Sequence, residues 1–285
     1  PYCVGMSPES PTGHAMYLYA SRVGRSGFDL DVPHWDGHFP AWLFLAVTEH
    51  IRRMYGWERG SEDHIINEAL AYNALYGYEQ AEDLVYQKPG GMPSGFAGTA
   101  HYNTLGHIIL FYILYLKICD KHQKSGWGTW EFFRSYICFY VYGDDVVATI
   151  HDNVKDWLNA KTFAEAYDSL GWPVTTASKG NEVELYKDIM ELQFLKRRWV
   201  PSDDFPGYYQ FALSENTIDR LCEWYRTSEY PEQQQRENFF IYLEYSWYHG
   251  RDKYNANQER LNNALLKVGS QPLSISFDRM AAFIR

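Results

Sequence analysis

Residues 137–150, ICFYVYGDDVVATI, constrain the fold more than any other stretch of this chain. Two runs rich in β-branched and aromatic residues, Ile137 to Tyr142 and Val146 to Ile150, flank a Gly-Asp-Asp step. Paired buried strands are made of such runs. Gly143-Asp144 is a permitted two-residue hairpin connection, because glycine supplies a backbone angle that other residues resist. A hairpin with Asp144 and Asp145 at its tip is therefore predicted. Taken alone, the tip reads as a solvated turn, since Asp is common in turns and short motifs recur by chance. Held on rigid strands, the same acids are also a place for a divalent cation. The rest of the chain has to decide.

With 285 residues, the chain can bury a large core as one big domain or two smaller ones. A hydrophobic share of 46% with 10 Trp, 24 Tyr and 16 Phe describes an ordered globular protein rather than a disordered one. A net charge of −10 would argue against a nucleic-acid partner if it were evenly spread. Lys196, Arg197 and Arg198 form a basic cluster, however, and an acidic whole can hold a basic groove. Cys3, Cys119, Cys138 and Cys222 have no metal-type spacing, so neither zinc nor disulfides are expected and a reducing compartment fits. The longest apolar run, Ile108 to Leu116, is too short to span a bilayer, which leads to the expectation of a soluble, cytosolic chain without a membrane span.

Along the chain, FDLDVPHWD (28–36) reads as a strand running into a turn, with Asp31 near the strand's end. Pro40 opens a helix with Leu43, Val47, Ile51 and Met54 at helical spacing. Ser61 is the N-cap candidate of a second, with Ile65, Ala69, Tyr72 and Leu75 expected on its apolar face. A short strand and a Gly/Pro-rich loop follow in LVYQKPGGMPSG, then a long apolar helix from about Phe96 to Lys117 and a polar connection into the hairpin. Trp157 to Leu170 reads as a helix stopped by Gly171, and Trp172 to Ala177 as a strand. ELQFLKRRWV and GYYQFALS read as another strand pair, followed by helices at about 215–227, 231–248 and 252–267. The fold class is α+β, strands backed by helices first and a small helical domain last.

A phosphoryl-transfer site needs carboxylates from rigid neighbouring strands, so that metal ions can bridge a hydroxyl and a triphosphate. Asp31 and Asp144 suit that task if their strands adjoin. Alone, Asp31 is equally a turn-starting residue ahead of Pro33. Asp36 lies five residues beyond Asp31, where it could face a sugar 2′-hydroxyl. Thr99 and Asn103 share one face of the long helix and want polar partners, which Asp36 or local backbone could supply. Gly90, Gly91 and Gly95 around Ser94 make a loop whose backbone can approach a ligand closely. Lys196 and Arg197 on a short strand are either phosphate-binding cations or a solvated edge that discourages strand pairing.

In order and together, these segments resemble the RNA-dependent RNA polymerases of picornavirus-like positive-strand RNA viruses. DVPHWD is similar to the family's motif A, GGMPSGFAGTAHYN to motif B, YGDD to motif C, LGWPVTTASK to motif D and FLKR to motif E, and HGRDKYN fits the thumb. The resemblance runs from about Val4 to the end, and its second motif is the most specific. It implies a right-hand architecture, with a palm over 1–205, a mostly helical thumb over 206–285 and the fingers largely absent. The implied metal ligands are Asp31, Asp144 and the auxiliary Asp145, holding two Mg²⁺ ions, with Mn²⁺ as a substitute. Asp36, Thr99 and Asn103 would select the ribose, and Ser94 and Gly95 would lie beside the incoming nucleotide. Lys179 would be the general acid for the departing pyrophosphate, and Lys196 and Arg197 would grip the growing RNA.

The implied partners are RNA template and primer, NTPs and other viral replication proteins. The priming mode, including use of a protein primer, stays open. The implied setting is a replication complex in host cytoplasm, after release from a polyprotein. Because the basic fingers fall outside this sequence, the 285 residues alone are expected not to polymerise RNA. Pro33 and His34 depart from the family's first motif, and the 119–135 connection is longer than in its best-known members. A reverse transcriptase would place a bulky side chain where Asp36 stands, to exclude the 2′-hydroxyl. A non-catalytic RNA-binding relic would have no reason to keep Asp31, Asp144 and Asp145.

Overall fold

The computed structural model describes residues 1–9, 11–88, 90–93, 95–175, 184–223 and 228–284. In chain order its elements are α1 (Thr12–Ser21), β1 (Ser26–Leu30), α2 (Trp35–His38), α3 (Ala41–Met54), α4 (Glu62–Tyr76), β2 (Tyr78–Ala81) and β3 (Leu84–Gln87). Next come α5 (Thr99–Lys121), α6 (Trp130–Tyr136), β4 (Ile137–Tyr142), β5 (Asp145–Ile150), α7 (Ala160–Asp168) and β6 (Lys187–Asp188). The chain closes with β7 (Arg197–Pro201), β8 (Tyr209–Leu213), α8 (Glu215–Arg220), α9 (Pro231–Trp247), α10 (Arg251–Lys267) and α11 (Phe277–Ile284).

Two compact units result: Pro1–Gly5 with Val23–Lys187, and Met6–Arg22 with Asp188–Arg285. The expected palm–thumb boundary at 205/206 does not coincide with this division. It would cut the loop between β7 and β8, which pair antiparallel with Arg197 opposite Leu213. The segment holding α1 joins the second unit for a similar reason, since the Trp199 indole donates to the Gly13 carbonyl at 3.1 Å.

In the first unit a sheet runs in the order β4-β5-β1-β6. β4 and β5 form the predicted hairpin, antiparallel and in register from Ile137 opposite Ile150 to Tyr142 opposite Asp145. Both strands are buried on both faces, apart from the residues flanking the tip. β1 pairs with the other edge of β5, Leu30 opposite Val146. Helices cover this sheet through an aromatic cluster. The Phe111 ring of α5 stacks on Phe163 of α7 at 4.5 Å between centroids and on Phe139 of β4 at 5.1 Å. Phe28 of β1 packs on Phe163 at 5.1 Å. Each such ring removes a large apolar area from water, which fixes the helices over the sheet. Beneath β1, the buried Asp29 is paired with Lys187 at 3.3 Å.

Several elements differ from the sequence reading. Ser61 does cap α4, accepting from the His64 amide at 3.3 Å. The buried residues of that helix are Ala71 and Leu75, however, while Ile65 and Tyr72 are 57% and 51% exposed. α4 carries apolar side chains around most of its circumference, so its sequence does not select a face and packing does. α5 is long and apolar enough to cross a membrane, which the count over Ile108 to Leu116 had not suggested. Most of its apolar window is nevertheless buried in the first unit's core. α1, α6 and α11, and the pairing of β2 with β3, were not anticipated. In the second unit, α8 to α11 pack around Tyr242, Leu243, Trp247, Tyr254 and Met280.

Candidate active site

The hairpin tip is built as its residues require. Gly143 takes φ +59° at the first central position and Asp144 follows with ordinary φ, the demand of a type II′ turn. Asp145 opens β5 opposite Tyr142. One step beyond the Leu30–Val146 pair, along each strand, come Asp31 and Asp145. Asp31 leaves β1 but keeps its backbone fixed: its amide donates to Thr175 at 2.9 Å and its carbonyl accepts from Thr175 at 3.0 Å.

The chain then turns through His34, a left-handed residue (φ 57°, ψ 31°) that caps α2. This is how the unusual Pro33-His34 step is accommodated, and histidine is among the side chains enriched in that region. α2 presents Asp36 to the long helix, where the Asn103 amide donates to Asp36 Oδ1 at 2.6 Å. The opposite atom, Asn103 Oδ1, is buried and without a partner. A group that donates a hydrogen bond is what this oxygen lacks.

The loop ahead of α5 is strapped to the same turn. The Met92 amide donates to the Asp36 carbonyl at 2.8 Å, and Gly91 sits at φ +82° where a Cβ would come within 3.2 Å of that oxygen. Gly91 is thus the loop glycine that its packing demands, whereas a Cβ on Gly95 would meet open space. The Thr99 hydroxyl lies 2.8 Å from the Pro93 carbonyl and 2.6 Å from that of Phe96, so its proton is spent holding the loop. Thr99 thus takes the local-backbone alternative for its proton, and its oxygen can still accept. Ser94 and Lys179 lie outside the described residues.

Asp36, Thr99, Asn103, Gly143 and Asp144 line one cavity of about 450 Å³, with His34 at its edge. Asp144 reaches solvent there, yet its carboxyl is pushed above its ordinary value. Partial burial is the main cause, and the negative charges of Asp31 and Asp36 add to it, against the lowering by the amides of Asp144 and Asp145. Among the described residues no three His, Cys, Asp or Glu side chains converge into a ready-made metal cage. The donor set fits a hard cation of the magnesium kind. Such an ion is held by one or two carboxylates plus substrate phosphates and water, and it would offset the negative charge that Asp144 meets here.

The basic strand departs from expectation. β7 alternates buried and exposed, and Arg197 falls on the buried side. Its guanidinium pairs with Glu9, donates to the Phe211 carbonyl at 3.3 Å and lies 5.5 Å from the Tyr245 ring. Arg197 is thereby corrected from RNA contact to internal tie. Lys196 and Arg198 are the exposed cations of that stretch. Alternation along a strand was the signal that could have told Arg197 from Arg198.

A sequence model of the family described as viral RNA-dependent RNA polymerase matches residues 1–260. The genome polyprotein of Rice tungro spherical virus (strain Vt6) is 26% identical over 282 residues, covering 98% of this chain and 8% of the polyprotein. The genome polyprotein of Human hepatitis A virus genotype IIIB is 27% identical over 269 residues, 93% of this chain and 11% of the polyprotein. Among solved structures, the Sicinivirus 3Dpol RNA dependent RNA polymerase superposes with a TM-score of 0.73 at 20% identity, covering 99% of this chain and 55% of that one. The chain thus spans about half of that solved polymerase and about a tenth of the polyproteins.

Proposed function

This chain belongs to the viral RNA-dependent RNA polymerase family, and we propose that it supplies the palm and thumb of an enzyme that extends RNA on an RNA template. The reaction is attack of an RNA 3′-hydroxyl on the α-phosphate of an NTP, with pyrophosphate leaving. The observation that carries this reading is one cavity holding Asp144, electrostatically coupled to Asp31, beside the Asp36–Asn103 pair with its unpartnered acceptor.

Polymerases of this family use divalent metal ions. Asp31 and Asp144 would hold them, two Mg²⁺ or Mn²⁺, with Asp145 in support. Bound there, such ions would lower the cost of charge developing on the phosphate oxygens. Asp36 and Asn103 orient the ribose: a 2′-hydroxyl can donate to Asn103 Oδ1 and a hydrogen or a bulky group cannot. That favours ribonucleotides over the deoxynucleotides of a reverse transcriptase. Lys179 is the proposed proton donor to the leaving group, Ser94 and Gly95 belong to the nucleotide loop, and Lys196 with Arg198 faces the RNA phosphates. Release from a polyprotein and work in cytoplasmic replication complexes, with viral partner proteins and the priming mode open, complete the proposal.

Primer extension by the complete polymerase tests it. Asp144→Asn is expected to abolish incorporation, and Asn103→Ala to reduce the preference for NTPs over dNTPs. Undiminished synthesis by the Asp144 variant would remove the metal assignment and leave an RNA-binding relic as the better account.

A further inference from the structure

One turn beyond Asn103 on α5 stands His107, fully buried and without a place in the chemistry described above. Its Nδ1 lies 2.8 Å from the carbonyl oxygen of Gly143, the first residue of the hairpin tip. A carbonyl only accepts, so Nδ1 carries the proton. Nε2 is then the acceptor, and the Tyr167 hydroxyl of α7 donates to it at 2.5 Å. Burial agrees with this neutral tautomer. It pushes the imidazole down to about 4 and holds the buried Tyr167 hydroxyl protonated, far above its ordinary value.

The other backbone group of Gly143 is also taken by α5, because its amide donates to the Thr104 hydroxyl at 3.0 Å. Both backbone polar groups of the turn's first residue, one in each of two successive peptides, therefore end on one helix. The indole of Trp35, next to Asp36, packs over the His107 ring at 4.6 Å between centroids. A leucine would fill this space without the cost of burying an imidazole, and that cost is offset only because both ring nitrogens are satisfied.

We infer that Thr104 and His107 are positioning residues that fix the direction of the Asp144 carboxylate, so that the metal-holding tip and the ribose-selecting Asp36–Asn103 pair are referred to one rigid helix. Tyr167 sets the tautomer that lets His107 donate forward, as outer partners do for ligating groups elsewhere. The inference rests on the reading of Asp144 as a metal ligand.

The test is Mn²⁺ binding to the 285-residue chain, titrated by electron paramagnetic resonance, with melting temperature as a parallel readout. Asp144→Asn serves as the reference. His107→Leu should weaken Mn²⁺ binding about tenfold, the lower end for loss of an outer partner. His107→Asn, which keeps a donor near the Nδ1 position, should restore it to within about twofold of the parent. A His107→Leu chain that melts lower but binds Mn²⁺ like the parent, while Asp144→Asn has lost it, overturns the inference alone. Parental Mn²⁺ binding by Asp144→Asn overturns the metal reading itself. Should His107→Leu not fold, Thr104→Val decides: weakened Mn²⁺ binding with an unchanged circular dichroism spectrum supports the clamp, and parental binding overturns it.

Discussion

Two hairpins in this molecule carry residues of functional interest, and they obey different rules. β4–β5 is buried on both faces, so alternation along it says nothing about function, and its chemistry is confined to the tip where burial ends. β7–β8 has one buried face along β7, so neighbouring arginines have opposite fates: Arg197 ties the unit together and Arg198 meets solvent. In the first hairpin position along the strand decides a residue's task. In the second, parity decides it.

The sharpest way to break this contrast is at the two ends of the β4–β5 turn. Asp144→Asn should lower nucleotide transfer by the complete polymerase on the order of 10³-fold, the equivalent of several kcal/mol of lost charge stabilisation. The same change should leave the isolated chain melting no lower, and slightly higher near neutral pH. The sign follows from the raised carboxyl. Between its unfolded and its higher folded value the native state binds more protons, so stability falls as pH rises through that window. Asparagine removes the ionised form that causes the fall. A variant that melts lower at pH 7 would mean the aspartate is a structural residue after all.

Next in size is Arg197→Ala, which leaves Glu9 without its cationic partner. It should destabilise the second unit by about 3 kcal/mol, the lower end for a broken buried pair because Glu9 is partly exposed. Chemical denaturation measures it, and a loss below about 0.5 kcal/mol would return Arg197 to the surface role that FLKR implied. Asn103→Ala strands the Asp36 carboxylate and removes the orphaned acceptor. On the order of a tenfold drop in the NTP to dNTP preference is expected, read from competitive incorporation. Smallest is Arg198→Ala. Stability should change by less than about 0.5 kcal/mol, while the slope of log K for RNA against log salt falls by about one unit. If Arg197→Ala and Arg198→Ala gave equal slopes and equal stabilities, parity would not separate the two arginines.

The same distinction explains what could be read from the sequence. The hairpin that carries Asp144 at its tip and the contact between Asp36 and Asn103 were legible because each sits in an ordered local pattern: a turn demanding glycine, a fixed offset, a shared helix face. The inward turn of Arg197 was legible in principle, through alternation, but the resemblance to FLKR pointed outward. Thr99's attachment to Pro93 and Phe96, and the wrong face chosen for α4, depend on which neighbour arrives in three dimensions. No window of sequence contains that. The clamp on Gly143 is of the same kind, since His107 resembles any other residue of an apolar helix until β4–β5 lies against it.

The pairing of β1 with β5 has a kinetic consequence. β4 and β5 are joined by two residues and can zip within microseconds, whereas bringing Asp31 to Asp144 closes a loop of more than a hundred residues. The two acids proposed to hold the metal are therefore expected to meet late, after the hairpin has formed. Pulse-labelled hydrogen exchange during refolding should find the amides of β4 and β5 protected before those of β1. An incompletely folded chain then carries two separate acids, and on the proposed reading the metal-holding pair is assembled only as the structure is completed.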